Sequence, residues 1–275
     1  DHSSVMNTSA SFGSAWPRHF QAFLAGAVVG ALGGLIGLGG AEFRLPLLIG
    51  LFGFVALSAV IMNKAMSLIV VASALLFRTR SVPIEHLLEH WQVVVNLLGG
   101  SLLGAWWGAS WAIRARPRTL YRVIAVLLVV IAAGLVLHLW LPDRAEPPLK
   151  GNLQMIVGVL AGLGIGVVAS LLGVAGGELL IPTIVLLFAV DVKTAGSLSL
   201  AVSLPTMIVG FTRYSRDGSF EVLRNNMPFL VAMAAGSLAG ALCGALLLGV
   251  VQGSVLLPLL ALILLLSAWK VWRHV

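Results

Sequence analysis

The sequence predicts an all-α polytopic membrane protein built from two homologous repeats, with about 8–10 membrane segments and a short or re-entrant helix after each glycine-rich break. Three observations lead there. Of 275 residues, 59% are hydrophobic and 10% charged, where a soluble domain carries roughly 25% charged residues. The mean hydropathy is +1.04. The second half of the chain repeats the first at a constant offset of 136 residues.

Apolar runs fall at 20–41, 44–57, 59–77, 91–113 and 120–141, and again at 155–177, 179–190, 194–212, 227–249 and 255–272. A polar linker with Pro142, Pro147, Pro148, Asp143, Arg144, Glu146 and Lys150 separates the sets. The expected organisation is an N-terminal tail (1–19), repeat 1 (20–141), a linker (142–154) and repeat 2 (155–275), in one integral membrane domain. The tail lacks a basic n-region and a short apolar core, so it reads as a tail and not as a signal peptide. Leu24-Ala25-Gly26 matches Leu160-Ala161-Gly162, Arg80 matches Arg216, Glu85 matches Glu221, and Gly100-Ser101-Leu102 matches Gly236-Ser237-Leu238. Generic apolar sequence would not keep glycine, glutamate, proline and arginine in one register.

The runs differ in length. Those of 20 or more residues can cross a core of about 30 Å at 1.5 Å per residue. Run 44–57 and its equivalent 179–190 fall short and read as short or re-entrant helices. If they do not cross, eight crossings and parallel halves are expected; if they do, ten crossings and inverted halves. Counting loop charge does not choose, since both readings put 10 Lys and Arg on the side of the termini and 6 opposite, while Arg114, Arg116, Arg118 and Arg122, without basic counterparts at Val250, Gln252, Ser254 and Pro258, lean toward inversion. Both readings place the termini in the cytoplasm by the positive-inside rule.

The net charge of +7 resides mainly in short loops, as at Arg78, Arg80, Arg114, Arg116 and Arg118. That pattern fits topology and anionic lipid head groups. It offers no basic face with interleaved aromatics, so nucleic acid is not an expected partner. The single cysteine, Cys243, excludes an intrachain disulfide or a zinc ribbon. Small residues four apart at 100–108 and 236–244 suit close helix packing in lipid. Trp16, Trp91, Trp140, Trp269 and Trp272 lie near run ends, as interfacial anchors do.

The repeated element Gly37-Leu38-Gly39-Gly40-Ala41-Glu42-Phe43-Arg44-Leu45-Pro46 recurs as Gly173-Val174-Ala175-Gly176-Gly177-Glu178-Leu179-Leu180-Ile181-Pro182. Lipid penalises irregular backbone and unpaired polar groups, so such an element must be enclosed by protein or line a polar cavity. Pro46 and Pro182 are structural punctuation, and helix starts are expected near Leu45–Pro46 and its equivalent. Free N–H groups there would make an anion site. Gly37, Gly39, Gly40, Gly173, Gly176 and Gly177 are the expected substrate-facing backbone. Glu42 and Glu178 either cap and shape the loop, or hold a proton and couple it to transport.

The third run of each half adds Asn63, Ser67, Ser197, Ser199 and Ser203, which either line the path or bond helix to helix. Lys64 reads as the only basic residue deep in an apolar stretch. It would snorkel, pair with Glu42 or attract the anion. His86-Leu87-Leu88-Glu89-His90 has the H-x-x-E-H spacing of a zinc enzyme. Its second-half counterparts, Val222 and Asn226, cannot repeat it. No catalytic residues, bound metal or cofactor are expected, and the chain is not read as an enzyme.

With these residues in view, the chain resembles the sulfite exporter TauE/SafE family, also called the 4-toluenesulfonate uptake permeases. The resemblance spans about 20–275. It rests on the two glycine-to-proline elements, on Ala195-Gly196-Ser197-Leu198-Ser199-Leu200, and on Arg213-Tyr214-Ser215-Arg216. It implies a secondary transporter for sulfite, an organosulfonate or sulfoacetate, driven by a proton or ion gradient in a bacterial cytoplasmic (inner) membrane. Expected partners are a small anionic substrate, the lipid bilayer, a coupling proton or cation, and a second copy in a homodimer. Glu42, Glu178 and Met62-Asn63-Lys64 depart from the family pattern. The alternatives are a divalent cation transporter using Glu42 and Glu178, or a membrane zinc enzyme using His86, Glu89 and His90.

Overall fold

A computed structural model describes residues 17–36, 40–78, 88–138, 147–216, 220–246 and 253–273. Among them there is no strand. The helices are α1 (Arg18–Ile36), α2 (Ala41–Gly50), α3 (Ala56–Arg78), α4 (Trp91–Arg114), α5 (Pro117–His138), α6 (Asn152–Leu172), α7 (Gly177–Phe188), α8 (Val192–Ser215), α9 (Glu221–Asn225), α10 (Met227–Leu246) and α11 (Gly253–Trp272). Six of these, among the described residues, are long and apolar enough to cross a membrane: α3, α4, α5, α6, α8 and α10. Large apolar side chains such as Val95, Trp107, Val126 and Ile156 are exposed on their outer faces. That is the surface a bilayer covers.

The helices pair across the repeats. α1 packs on α10 and α6 on α4, so the first helix of each repeat docks on the other half. Small residues make this contact. A Cβ added at Gly100 or Gly104 would fall on the carbonyls of Val159 or Leu163, and one at Gly236 or Gly240 on those of Phe23 or Ala27. Dispersion and close backbone approach, not hydrophobicity, hold helices together in lipid.

Helix directions follow from these registers. Gly100, Gly104 and Gly108 meet Val159, Leu163 and Val167, so α4 and α6 run parallel. Ser101 meets Thr206 and Ser110 meets Arg213, so α8 runs with them. α3 runs opposite to α6: Gly173 abuts Val60, Asn63 reaches Leu172, and Lys64 reaches Ala169. Hence α3 opposes α8, its own equivalent, and the two repeats are inverted.

This corrects the link drawn above between short helices and parallel halves. α2 begins with Gly40 beside the carbonyl of Val29, midway along α1. It ends where Arg18 Nη2 donates to the carbonyl of Phe52, at 3.3 Å. In repeat 2, Gln154 Nε2 donates to the carbonyl of Leu187 at 2.8 Å. Each long–short pair is therefore a hairpin that begins and ends on one side. Three crossings then follow it, and an odd number inverts the next repeat.

Candidate functional site

Each glycine-rich break starts its helix earlier than proline punctuation suggests. Gly40 (φ 70°) and Gly176 (φ 81°) adopt the left-handed conformation, and α2 and α7 begin at the next residue. Glycine is the residue that reaches this conformation without a Cβ penalty. Pro46 and Pro182 thus lie inside the helices. Each removes the single backbone bond to the carbonyl four residues back, at Glu42 or Glu178. The first-turn carboxylates suit the helix dipole, and that preference with the left-handed glycine outweighs proline's preference for the first position.

The early start carries Arg44 into the core. Its side chain is fully buried. Nε donates to Asn63 Oδ1 at 2.8 Å, Nη2 to Ser67 Oγ at 2.9 Å, and Nη1 to Ser237 Oγ at 3.1 Å. The guanidinium therefore joins α2 to α3 and to α10. Asn63 spends its amide on the carbonyls of Ala41 and Leu172, both at 2.9 Å. Buried charges survive when hydrogen-bonded; the three hydrogen-bond acceptors of Arg44 are neutral, and Glu42 lies close enough to interact with its charge.

Lys64 is fully buried and does not snorkel. No ion pair joins it to Glu42 among the described residues. Its Nζ donates to the carbonyl of Ala169 (3.2 Å) and to Ser170 Oγ (3.4 Å), at the C-terminal end of α6. The negative dipole end of the helix favours a cation there. Ser170 is a junction, since its Oγ donates to the carbonyl of Ala105 and its own carbonyl accepts from Tyr214 OH at 3.0 Å.

Glu42 and Glu178 are buried and their carboxyls face each other within hydrogen-bonding reach. Glu42 Oε2 and both carboxyl oxygens of Glu178 meet no donor. Side-chain capping is absent at both helix starts, where the cap residue is glycine.

Of the expected residues, the fold therefore joins Glu42 to Glu178, and Asn63 and Ser67 to Arg44. Gly173 lies against Val60 and Gly177 opens α7. Ser197, Ser199 and Ser203 are buried on α8. Ser199 Oγ bonds its own turn at Gly196, and Ser203 Oγ has no partner. Gly37, Gly39 and His86 lie outside the described residues. Glu89 is exposed, and no metal-holding group of three or more His, Cys, Asp or Glu occurs among the described residues. An apolar groove of about 410 Å³ between α5 and α11, with Val129 and Trp269, lies on the outer face and shares no residue with this centre.

Sequence reasoning missed Arg44, Ser170, Tyr214 and Ser237. The statement that Lys64 is the only deeply buried basic residue is corrected by Arg44. The signal for Arg44 was present: it stands two residues after a glutamate inside a glycine-to-proline element. Starting the helix at the proline left it in a loop.

The model of the family described as sulfite exporter TauE/SafE matches residues 5–135 and 157–274, one stretch for each repeat. No curated protein matches the chain, and no solved structure does. The chain belongs to the sulfite exporter TauE/SafE family, a family of membrane transporters for sulfite and related sulfur anions.

Proposed function

We propose that this protein is a secondary transporter for a small sulfur-containing oxyanion, in the sulfite, organosulfonate or sulfoacetate class. It works by alternating access, with coupling to a proton or ion gradient. Its place is the bacterial cytoplasmic membrane, with both termini in the cytoplasm and residues 20–141 and 155–275 acting as two repeats of one domain. A homodimer belongs to the same reading, and mass measurement in detergent tests it.

The observation that carries this reading is the pair of buried basic side chains, Arg44 and Lys64, whose hydrogen-bond acceptors are neutral oxygens. Arg44 also faces Glu42, so Lys64, bonded only to neutral oxygens, would supply most of the attraction for an anion. The N-termini of α2 and α7 add backbone N–H groups of the kind that bind oxyanions. Gly40, Gly176 and Gly177 would let the anion approach the backbone, with Asn63, Ser67, Ser199 and Ser203 replacing its water. Inverted repeats carrying broken helices are the architecture in which a central site is exposed to each side in turn. The function is transport, with no bond made or broken.

A thermal-shift screen of the purified protein with sulfite, sulfate, thiosulfate, taurine and sulfoacetate tests this. Ligand at 100 times Kd stabilises by about 2.7 kcal/mol. Stabilisation by one of these anions, lost in Lys64→Met, is expected. Silence to all five, with a response to a divalent metal, would overturn the reading.

A second reading, divalent cation transport on Glu42 and Glu178, draws on their donor-free oxygens. Arg44, close enough to Glu42 to interact with it, weighs against a doubly charged ion there. Glu→Gln at both positions would abolish cation binding but leave anion stabilisation measurable.

A further inference from the structure

The carboxyls of Glu42 and Glu178 come from equivalent positions of the inverted repeats and meet where α2 and α7 begin. Ionised carboxylates are acceptors only. Facing one another, they leave Glu42 Oε2 and both Glu178 oxygens without donors. Such a pair is costly in a buried site, both as unsatisfied acceptors and as like charges. One proton lowers both costs. It supplies an O–H donor between the groups, and the remaining negative charge is balanced by Arg44.

We infer that Glu42 and Glu178 share one proton across the junction of α2 and α7, and that this proton latches the two re-entrant helices together. The latch stands on the junction's geometry, and its use as the coupling step rests on the transport reading above. Loss of the proton leaves two carboxylates in contact with one arginine to balance them, and repulsion parts the helices.

The side that yields is set by the surroundings. Arg44 ties α2 to α3 and α10 through three bonds, and Asn63 holds the carbonyl of Ala41. The residue equivalent to Arg44 on α7 is Leu180, and Ser203, the equivalent of Ser67, has no partner. α7 therefore moves and α2 stays. The other charged or titratable groups nearby do not take over the role. Lys64 of α3 is turned to the end of α6. Tyr214 of α8 donates to Ser170, and Arg213 of α8 to Ser110. Lys270 of α11 lies at the far end of α2, against Gly50. Arg118 and Arg122 of α5 are exposed. Among the described residues, the buried charged side chains are Glu42, Arg44, Lys64 and Glu178.

Hydrogen–deuterium exchange on the full chain in detergent, at about pH 6 and about pH 9 and corrected for intrinsic rates, tests the latch. Peptides from α7 are expected to exchange about tenfold faster at the higher pH while those from α2 change little. In Glu178→Gln the amide donates permanently, so the pH dependence disappears. Glu42→Gln is expected to do the same from the other side, and it decides alone if Glu178→Gln does not fold. Equal α7 protection at both pH values in the unmodified protein would overturn the latch, as would a pH dependence that survives glutamine substitution. No substrate enters the measurement. Failure to bind any sulfur anion with the latch intact would sink the transport reading and spare this one.

Discussion

Equivalent positions in the two repeats share a backbone and differ in chemistry. In repeat 1 a guanidinium fills a cradle of Asn63, Ser67 and Ser237. In repeat 2 the matching residues are Leu180, Ser199, Ser203 and Ser101. Leu180 packs with Ile165, Ile184, Leu198 and Val202 instead. Ser199 then turns back on its own helix, Ser101 pairs with Thr206 at 2.8 Å, and Ser203 is left over. Likewise Lys64 reaches across to α6, while its counterpart Leu200 packs among Val71, Ala175 and Met207. Duplication supplied the hairpins. Divergence put the fixed cations in one half, so one re-entrant helix is pinned and the other is held by packing.

The largest effect should come from erasing that difference. Arg44→Leu copies repeat 2 into repeat 1 and strands three acceptors and the carboxyl pair. Breaking a buried charged network of this kind costs about 3–5 kcal/mol. A large fall in the detergent unfolding temperature is expected, and an unchanged one would mean that Arg44 does not anchor α2.

Next come the glycines that let the halves interlock. Gly104→Ala drives a Cβ into the backbone of α6 and should cost about 1–3 kcal/mol. Gly164→Ala, whose Cβ would meet open space, serves as the control. It should be neutral or stabilising by up to about 1 kcal/mol, because alanine is the better helix former. Equal effects at the two sites would remove the case for close packing of α4 on α6.

The sharpest comparison pairs two serines. Ser67→Ala removes an acceptor from Arg44 and should cost about 1.5–3 kcal/mol, since that bond is charge-assisted. Ser203→Ala removes a hydroxyl that has no partner and should fall within about 0.5 kcal/mol of zero, or stabilise. Denaturation of both variants under one condition reads the difference directly. Matching losses would show that the two cradles are equivalent after all.

Much of the fold was legible from local rules. Run length, the glycine breaks and the repeat register all survive in the structure, and Gly40 and Gly176 bend the chain as glycine allows. The small-residue spacing at Gly100 and Gly104 marks a true interface. The site was less legible. Proline preference pointed to a helix start that the left-handed glycine moves upstream, and this hid Arg44. Pairing with Glu42 was one of three expectations for Lys64, beside snorkelling and attracting the anion. The side chain ends on α6 because an antiparallel helix brings the carbonyl of Ala169 to it. Ser237 and Ser170 carried no signal, since a lone serine in an apolar run gains a role only from what packs against it.

By itself the sequence determined that the chain lives in lipid, that it is duplicated, and where each hairpin breaks. Composition, period and backbone freedom are local quantities that need no partner to be read. Tertiary structure alone decided that the repeats are inverted, that each lends its first helix to the other, and that Arg44, Asn63, Ser67 and Ser237 meet. Contacts such as that of Arg44 with Ser237 join residues 193 positions apart. No local rule encodes such a contact, because it forms only when packed helices bring both groups out of lipid to the same point.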